Sequence, residues 1–291
     1  METNFKKQII LLNDEYYPEI LKNIRNPPKE LKCIGNIKLL NKPGIAIVGS
    51  RNCSEYGIQM VSKFAKELSE YGLNIISGMA KGIDSYAHSI AIENGGNTIA
   101  VLPSGIDNIY PEENMKLYDN IIKSNGLVLS EYDDFIKATS NKFLERNRIV
   151  SGLAIAVLII EGAYRSGTSV TAKITKREGK KVFCIPSSLD NKNGYVPNSL
   201  IKNGAILVRG AEDIISEFPE LKLRKRENIK IFEDINSNYK DLFNLIGYEP
   251  IYIDDLAKMS KLSYEDISYQ LLMLVIEGHI IELPGRKYKR R

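Results

Sequence analysis

Short apolar runs alternate with amphipathic segments along residues 44–218, and each run has the length of a β-strand. Most runs are almost continuously apolar, which is typical of strands buried on both faces. Between the first two runs, apolar residues from Met60 to Leu68 repeat at helical spacing. This alternation predicts a parallel sheet with right-handed crossovers. The runs are Ile45–Val48, Leu73–Ile76, Thr98–Leu102, Leu127–Leu129, Ala154–Ile160, Lys181–Ile185 and Ile206–Val208.

The pattern changes on both sides of this segment. The region before Gly44 contains Tyr17-Pro18 and Asn26-Pro27-Pro28, which resist long helices, while Pro219 opens a charged stretch typical of a linker. We therefore predict a short N-terminal extension at 1–40, a parallel-sheet domain at 41–218, a linker at 219–235 and a small module at 236–291.

The C-terminal module carries the pattern of two helices followed by a β-hairpin, which is the arrangement of a winged helix. A first helix is indicated from Ile253 to Ser260, and Ser263-Tyr264-Glu265-Asp266 resembles a capping box at the start of a second. Gly278 is predicted to end that second helix, and the hairpin would turn at Pro284-Gly285.

The charges of this module disfavour sequence-specific binding in the major groove of duplex DNA. The second helix, residues 263–277, holds three acidic residues and neither lysine nor arginine, so it would repel a duplex. We expect contact with protein, or weak DNA contact without sequence preference, and a solvated basic tail is the alternative. The cations lie in the wing and tail at Arg286, Lys287, Lys289, Arg290 and Arg291.

Composition narrows the classes of function. The 291 residues contain no apolar run of membrane-spanning length, and the polar N-terminus lacks the core of a signal peptide, so a cytoplasmic protein is expected. Two histidines and three dispersed cysteines disfavour a metal site or a histidine-based triad. The net charge of +4 is compatible with nucleic acid without requiring it.

Glycine-rich polar loops follow several of the predicted strands. The carboxyl ends of parallel strands share one edge of the sheet, where ligands bind, so these loops should lie side by side. Glycine allows close approach, amides at helix starts bind anions, and Arg51 and Arg165 supply guanidinium groups that grip phosphate. We predict a phosphate-binding ledge, although one such loop alone is usually only a turn. The loops are Gly49–Asn52, Ser77–Asp84 (with Lys81 and Gly82), Pro103–Asp107 and Glu161–Thr168.

A nucleotide cofactor is the competing interpretation of these loops. In the loop that starts at Gly49, Arg51 stands where the dinucleotide fingerprint needs its second glycine, and Ser54 occupies the third glycine position. No Walker A lysine loop is present for ATP hydrolysis. We therefore expect no cofactor.

The segment from Lys142 to Arg148 places an aromatic ring beside cations. Phe143 could stack a base of single-stranded nucleic acid while Arg146 and Arg148 meet phosphates. Equally, Phe143 could anchor a helix in the core, and both arginines could pair with carboxylates inside the domain. The sequence leaves these alternatives open.

Taken in order, these motifs resemble the DNA-processing protein A family, DprA or Smf. The resemblance covers about residues 15–218, and the winged-helix-like tail fits it. It is carried by Val48-Gly49-Ser50-Arg51, Tyr56-Gly57, Ser77-Gly78, Gly82-Ile83-Asp84, Ala87-His88, Ala100-Val101-Leu102, Gly105-Ile106-Asp107, Tyr110-Pro111, Ser130-Glu131, Phe143, Arg146-Asn147-Arg148, Glu161, Ser166-Gly167, Thr171-Ala172, Gly194, Asn198, Leu200-Ile201 and Gly204-Ala205.

The resemblance implies an α/β protein with an extended Rossmann-like parallel sheet and a small C-terminal winged-helix-like domain. It further implies a protein that binds single-stranded DNA, is not an enzyme, forms a homodimer through the Rossmann-like domain and helps to load the RecA recombinase in natural transformation. The extension at 1–40 would be a truncated helical domain. Phosphate contacts are implied for Ser50, Arg51 and the loops at Ser77-Gly78 and Ser166-Gly167-Thr168, with base stacking at Phe143 and help from Lys142.

Besides the truncated helical domain, Pro103 and Ser187-Ser188 depart from the family pattern, and the sequence leaves two other functions open. Pro103 removes an amide donor, so an anion site at its loop is doubtful, and Ser187-Ser188 alter the turn after Pro186. Glu161 and the loop that follows it also resemble phosphoribohydrolases of the lonely-guy type, but their Pro-Gly-Gly loop is absent. A nucleotide-sensing or partner-binding protein without a DNA role is the third possibility.

Overall fold

A mixed, mostly parallel sheet organises the first of the two compact units into which the chain divides, Met1–Glu227 and Asn228–Arg291. The computed structural model describes residues 6–225, 239–247, 249–260, 262–277 and 279–290. Within 6–225 the sheet has nine strands: β1 (Gln8–Leu11), β2 (Glu30–Gly35), β3 (Gly44–Val48), β4 (Asn74–Ser77), β5 (Thr98–Val101), β6 (Leu127–Ser130), β7 (Ala156–Ile159), β8 (Lys181–Cys184) and β9 (Ile206–Leu207).

The helices of this unit cover both faces of the sheet. They are α1 (Glu19–Lys22), α2 (Glu55–Glu70), α3 (Ile83–Glu93), α4 (Met115–Lys123), α5 (Ser140–Leu153), α6 (Gly167–Arg177), α7 (Tyr195–Lys202) and α8 (Ala211–Ile215). Helices α1 to α7 lie between consecutive strands, and α8 follows β9. Strand side chains alternate between the two sides, so Ile45 and Ile47 pack under α2 and α3 while Ala46 and Val48 join the core under α5 and α6.

The strand order β1-β2-β6-β5-β4-β3-β7-β8-β9 positions the ligand edge. The strands from β6 to β9 in this order are parallel, as the apolar runs predicted. The chain winds in opposite directions on either side of β3 and β7, so a crevice forms beyond the carboxyl ends of these two strands. The predicted α/β class is confirmed.

In the N-terminal region, which the sequence predicts as a short extension, β1 and β2 belong to the sheet. Strand β2 pairs antiparallel with both β1 and β6, with Cys33 opposite Leu129. The Tyr17 hydroxyl donates to the carbonyl of Pro28 at 2.8 Å, and Leu21 of α1 packs against Gly152. These contacts fold residues 8–35 onto the main core.

The second unit has the helix and strand pattern that the sequence predicts for 253–290. It contains α9 (Lys240–Leu245), β10 (Ile251–Tyr252), α10 (Ile253–Ser260), α11 (Tyr264–Ile276), β11 (Ile280–Leu283) and β12 (Lys287–Arg290), with sheet order β10-β12-β11. The Ser263 hydroxyl caps α11 by accepting from the Asp266 amide at 3.1 Å. Gly278, Arg291 and positions 226–235 of the predicted linker lie outside the described residues.

Several of the wing cations are engaged within this unit. The Lys287 ammonium lies 4.5 Å from the ring centre of Tyr252, and the Arg290 guanidinium lies 4.4 Å from that of Phe243. The Arg286 guanidinium donates to the Tyr264 hydroxyl at 3.2 Å. The role of the winged-helix-like domain stays a prediction. Across the parts of the chain that the structure describes, no helix is both long and apolar enough to span a bilayer.

His88 of α3 is a buried, neutral member of the core. Its Nδ1 lies 2.6 Å from the Thr98 hydroxyl, which itself donates to the carbonyl of Ile75 at 2.7 Å, so Nδ1–H is the donor to Thr98. Burial, aided by the positive charge of Arg146, lowers the pKa of His88 from 6.5 to about 3.

This lowered pKa predicts a loss of stability in acid. Below pH 6.5 the unfolded chain binds a proton at His88 that the folded chain takes up only near pH 3, so stability falls across that window. The limiting slope is about 1.4 kcal/mol per pH unit. Urea denaturation between pH 6 and 4 should show a shallower dependence for His88→Gln than for the parent. His279→Gln is the control, and equal slopes for the parent and His88→Gln would contradict the assignment.

Candidate nucleic-acid interface

A groove of about 1020 Å³ lies at the crevice between β3 and β7. Its walls are the loops after β3, β4 and β7, together with the first turns of α5 and α6. Helix α5 crosses beneath β3, β4 and β5 on its way from β6 to β7, which brings its N-terminal turn to this edge. The sequence-predicted residues that line the groove are Gly49, Ser50, Arg51, Lys81, Phe143, Arg146, Ser166, Gly167 and Thr168.

Two glycines allow the loops after β3 and β4 to interlock. A Cβ on Gly49 would lie 2.6 Å from the Ile83 side chain, and Gly82 has φ of 76° and packs on the carbonyl of Ser50. The Ile83 amide donates to that same carbonyl at 3.1 Å. The start of α3 therefore holds the backbone at Ser50 and Arg51 in place.

Arg51 and Phe143 form the centre of the groove. The Arg51 guanidinium carbon lies 4.4 Å from the centre of the Phe143 ring, and Tyr110 meets that ring edge to face at 5.6 Å. Among the described residues, no carboxylate lies within ion-pair distance of exposed Arg51. The structure thus presents an uncompensated cation beside an aromatic ring, which is the pairing that single strands bind. Tyr110 belongs to one of the family motifs in the sequence, but its contact with Phe143 was not predicted.

Arg146 lines the floor of the groove but is only 3% exposed. Its guanidinium donates to the carbonyls of Gly78 and Val101, and Gly78 has no room for a side chain against it. Burial lowers the pKa of Arg146 to about 10, while buried Asp84 opposes that change. The Asp84 carboxylate in turn accepts from the Gly78 amide at 3.1 Å. These contacts hold the loop after β4 to α5.

Other predicted site residues lie outside the groove lining. Arg148 pairs with Glu131, and the Lys142 ammonium lies 5.6 Å from the centre of the Tyr132 ring. The Ser77 hydroxyl donates to the carbonyl of Ile47 at 2.7 Å and is buried. The sequence left open whether Arg148 meets a phosphate or pairs with a carboxylate inside the domain, and in the structure it forms the internal ion pair. Their roles toward a ligand stay predictions.

The loop after β7 leads into the N-terminus of α6. Arg165 adopts φ of 58°, and Ser166 is the N-cap residue of α6 without a side-chain capping bond. The Ser166 hydroxyl is buried and has no hydrogen-bond partner in the described structure. The first amides of a helix have no intrahelical acceptor, so Ser166, Gly167 and Thr168 together present donors to an anion.

Glu161 lies beneath this loop as a fully buried hub. Its carboxylate accepts from the Ser54 amide at 2.9 Å and from the Asn191 and Asn193 side chains at 3.1 and 3.4 Å. Asn193 also donates to the carbonyl of Asn52 at 2.7 Å. Asn193, which was not predicted from the sequence, thereby ties the loop after β3 to the start of α7. No cluster suited to a metal ion occurs among the residues described.

Residues 103–107, the predicted loop that contains Pro103, do not line the groove, although Tyr110 further along the same connection does. Ser104 and Gly105 are buried, the Gly105 amide donates to the carbonyl of Ile136 at 2.8 Å, and Gly105 packs on the carbonyls of Asp133 and Asp134. The loop before α5 therefore covers this strand end.

Comparison with known proteins then identifies the family. Residues 8–219 match the family described as DNA recombination-mediator protein A, and residues 233–286 match the DprA winged helix domain. The chain belongs to the DprA/Smf family. It is 39% identical to DNA processing protein DprA of Bacillus subtilis over 75% of this chain and 73% of the relative. It is 32% identical to protein Smf of Escherichia coli over 95% of this chain and 76% of the relative.

Solved structures of family members share the fold. DNA processing protein A from Streptococcus pneumoniae superposes with a TM-score of 0.69 at 40% identity, over 74% of this chain and 75% of that one. DNA processing protein A from Helicobacter pylori, whose single-stranded DNA binding mode has been described, gives a TM-score of 0.67 at 31% identity over 77% of this chain and all of that one. The predicted DprA/Smf membership and winged-helix domain are confirmed.

Proposed function

We propose that this protein binds single-stranded DNA along the groove and acts, without catalysis, as a recombination mediator. In this proposal it works as a homodimer through the Rossmann-like domain and loads the RecA recombinase on incoming DNA in natural transformation. The observation that carries the DNA-binding part is the uncompensated Arg51 guanidinium held 4.4 Å from the Phe143 ring. The relative from Helicobacter pylori and the family description support the same function.

The groove chemistry favours a single strand over a duplex. Phe143 meets a nucleobase only where the base face is unstacked, as in single strands. The hydroxyls of Ser50 and Ser166 and the amides of the first turn of α6 suit phosphate oxygens. Arg51 adds a charge that does not depend on base identity. We therefore expect binding with little sequence preference.

The Glu161 hub argues against the phosphoribohydrolase alternative. A catalytic carboxylate must reach a substrate atom. The Glu161 carboxylate is buried and already accepts hydrogen bonds from Ser54, Asn191 and Asn193. Its position supports a structural role between two loops.

The decisive experiment is a titration with labelled oligo-dT at several salt concentrations. Contacts to two to four phosphates predict a log–log salt slope of about −1.4 to −2.8 for a single strand. Assays of base release from nucleoside monophosphates should give no product, and RecA filament assembly on oligo-dT should accelerate when the protein is added. Absence of salt-dependent binding, or release of free base, would refute the proposal.

A further inference from the structure

A second exposed aromatic pair lies beside the groove, next to β7. The rings of Tyr164 and Tyr195 meet edge to face with centroids 4.9 Å apart. Tyr164 is 62% exposed and Tyr195 is 52% exposed, so neither ring serves mainly as core. The Arg165 guanidinium carbon lies 5.2 Å from the centre of the Tyr164 ring.

The backbone fixes this pair in place. The Gly162 amide donates to the carbonyl of Asn193 at 2.6 Å, and the Val196 amide donates to the carbonyl of Gly162 at 2.8 Å. The Ser166 amide then closes the turn that carries Tyr164 by donating to the carbonyl of Ala163 at 3.1 Å. Rings that are held before a ligand arrives lose little conformational entropy on binding.

The second pair repeats the arrangement at the centre of the groove. There, Phe143 meets Tyr110 edge to face and carries Arg51 over its ring. Ala163 directly precedes Tyr164 and itself lines the groove, as does Asn193, two residues before Tyr195. The donors of Ser50 and of the start of α6 line the same groove.

We propose that Tyr164 and Tyr195 form a second nucleobase-stacking platform and that Arg165 holds the adjoining phosphate. This inference rests on the proposed function and adds a second binding site for the same single strand. A single-stranded polynucleotide is the ligand whose chemistry fits, because its bases and phosphates alternate along one chain. A mononucleotide would occupy only one of the two clusters.

The test compares Tyr164→Leu/Tyr195→Leu with the parent on oligo-dT of about 4 and about 12 nucleotides, two lengths within the range of single-strand site sizes. On the longer oligonucleotide, the double variant should bind about tenfold more weakly with an unchanged salt slope, because stacking involves no counterion release. On the shorter one, both proteins should bind alike. Arg165→Ala should instead reduce the magnitude of the salt slope by about 0.7.

Tyr16→Leu is the matched control, since Tyr16 is 53% exposed and lies in the N-terminal region between β1 and α1. Photo-crosslinking of oligonucleotides that carry 5-iodouracil at single positions should yield Phe143 peptides and Tyr164 or Tyr195 peptides at different positions.

The outcomes separate the two proposals. If the parent shows no salt-dependent binding of oligo-dT, the proposed function fails. If the parent binds and Phe143→Leu weakens binding, but the double tyrosine variant binds both lengths as the parent does, the second platform alone is wrong. Equal losses on both lengths would also overturn it, because the tyrosines would then support the groove as a whole.

Discussion

Arg51→Ala is expected to weaken oligo-dT binding by about 10- to 100-fold. A hydrogen bond from a charged group is worth about 1.5–3 kcal/mol, and each 1.4 kcal/mol is a factor of ten in affinity. The guanidinium also lies 4.4 Å from the centre of the Phe143 ring, so its loss releases one side of that ring. The salt slope should fall in magnitude by about 0.7, the value for one phosphate on a single strand. Fluorescence anisotropy at several salt concentrations measures both quantities.

Two variants sharpen this test. Arg51→Lys should restore the salt slope but only part of the affinity, because an ammonium neither binds a phosphate through two bonds nor stacks as a plane. Arg25→Ala removes an exposed arginine between α1 and β2 and should bind as the parent does. Parent-like affinity and salt slope for Arg51→Ala would contradict the site assignment.

Arg146→Met is expected to destabilise the fold by about 3–5 kcal/mol, the usual effect of leaving one buried charge without its partner. The methionine would leave the carbonyls of Gly78 and Val101 without the guanidinium and would leave buried Asp84 without the nearby positive charge. Burial already raises the pKa of Asp84, and the Arg146 charge opposes that change. Urea denaturation at neutral pH measures the loss.

A second substitution distinguishes this structural role from a DNA contact. Arg146→Met/Asp84→Asn should regain part of the lost stability, because no charge is then buried unpaired. Arg177→Met removes an exposed arginine at the end of α6 and should change stability by less than about 0.5 kcal/mol. If Arg146→Met keeps the stability of the parent but loses oligo-dT affinity, the guanidinium is a ligand group instead.

Arg51, Arg146 and Arg148 show the limit of prediction from the sequence. All three stand in motifs that suit a nucleic-acid site, yet Arg51 is exposed, Arg146 is buried, and Arg148 pairs with Glu131. Apolar runs predicted β3 to β9 because strands buried on both faces are continuously apolar. Exposure and ion pairing depend on which segments meet in space, and no local pattern encodes that.

Contacts between distant segments account for the other differences. β1 has four residues, three of them exposed, and its pairing with β2 spans a connection containing α1, so periodicity gives it little signal. Tyr110 and Asn193 reach the groove from loops far from Arg51 in sequence. That the glycine loops lie at one edge of the sheet was nevertheless predictable, because the carboxyl ends of parallel strands share that edge.

Because the winding reverses between β3 and β7, the residues that form the crevice differ from those that would contact a ligand in it. The crevice arises where the connecting helices leave in opposite directions, so it is present whichever side chains line it. Exposed loop side chains at this edge, such as Arg51, are then free to diverge during evolution without threatening the fold. Gly49 and Gly82, which have no room for a side chain, and buried Arg146 and Glu161 are not. Exchange of the exposed groove residues could therefore change the ligand that the protein binds while the fold stays the same.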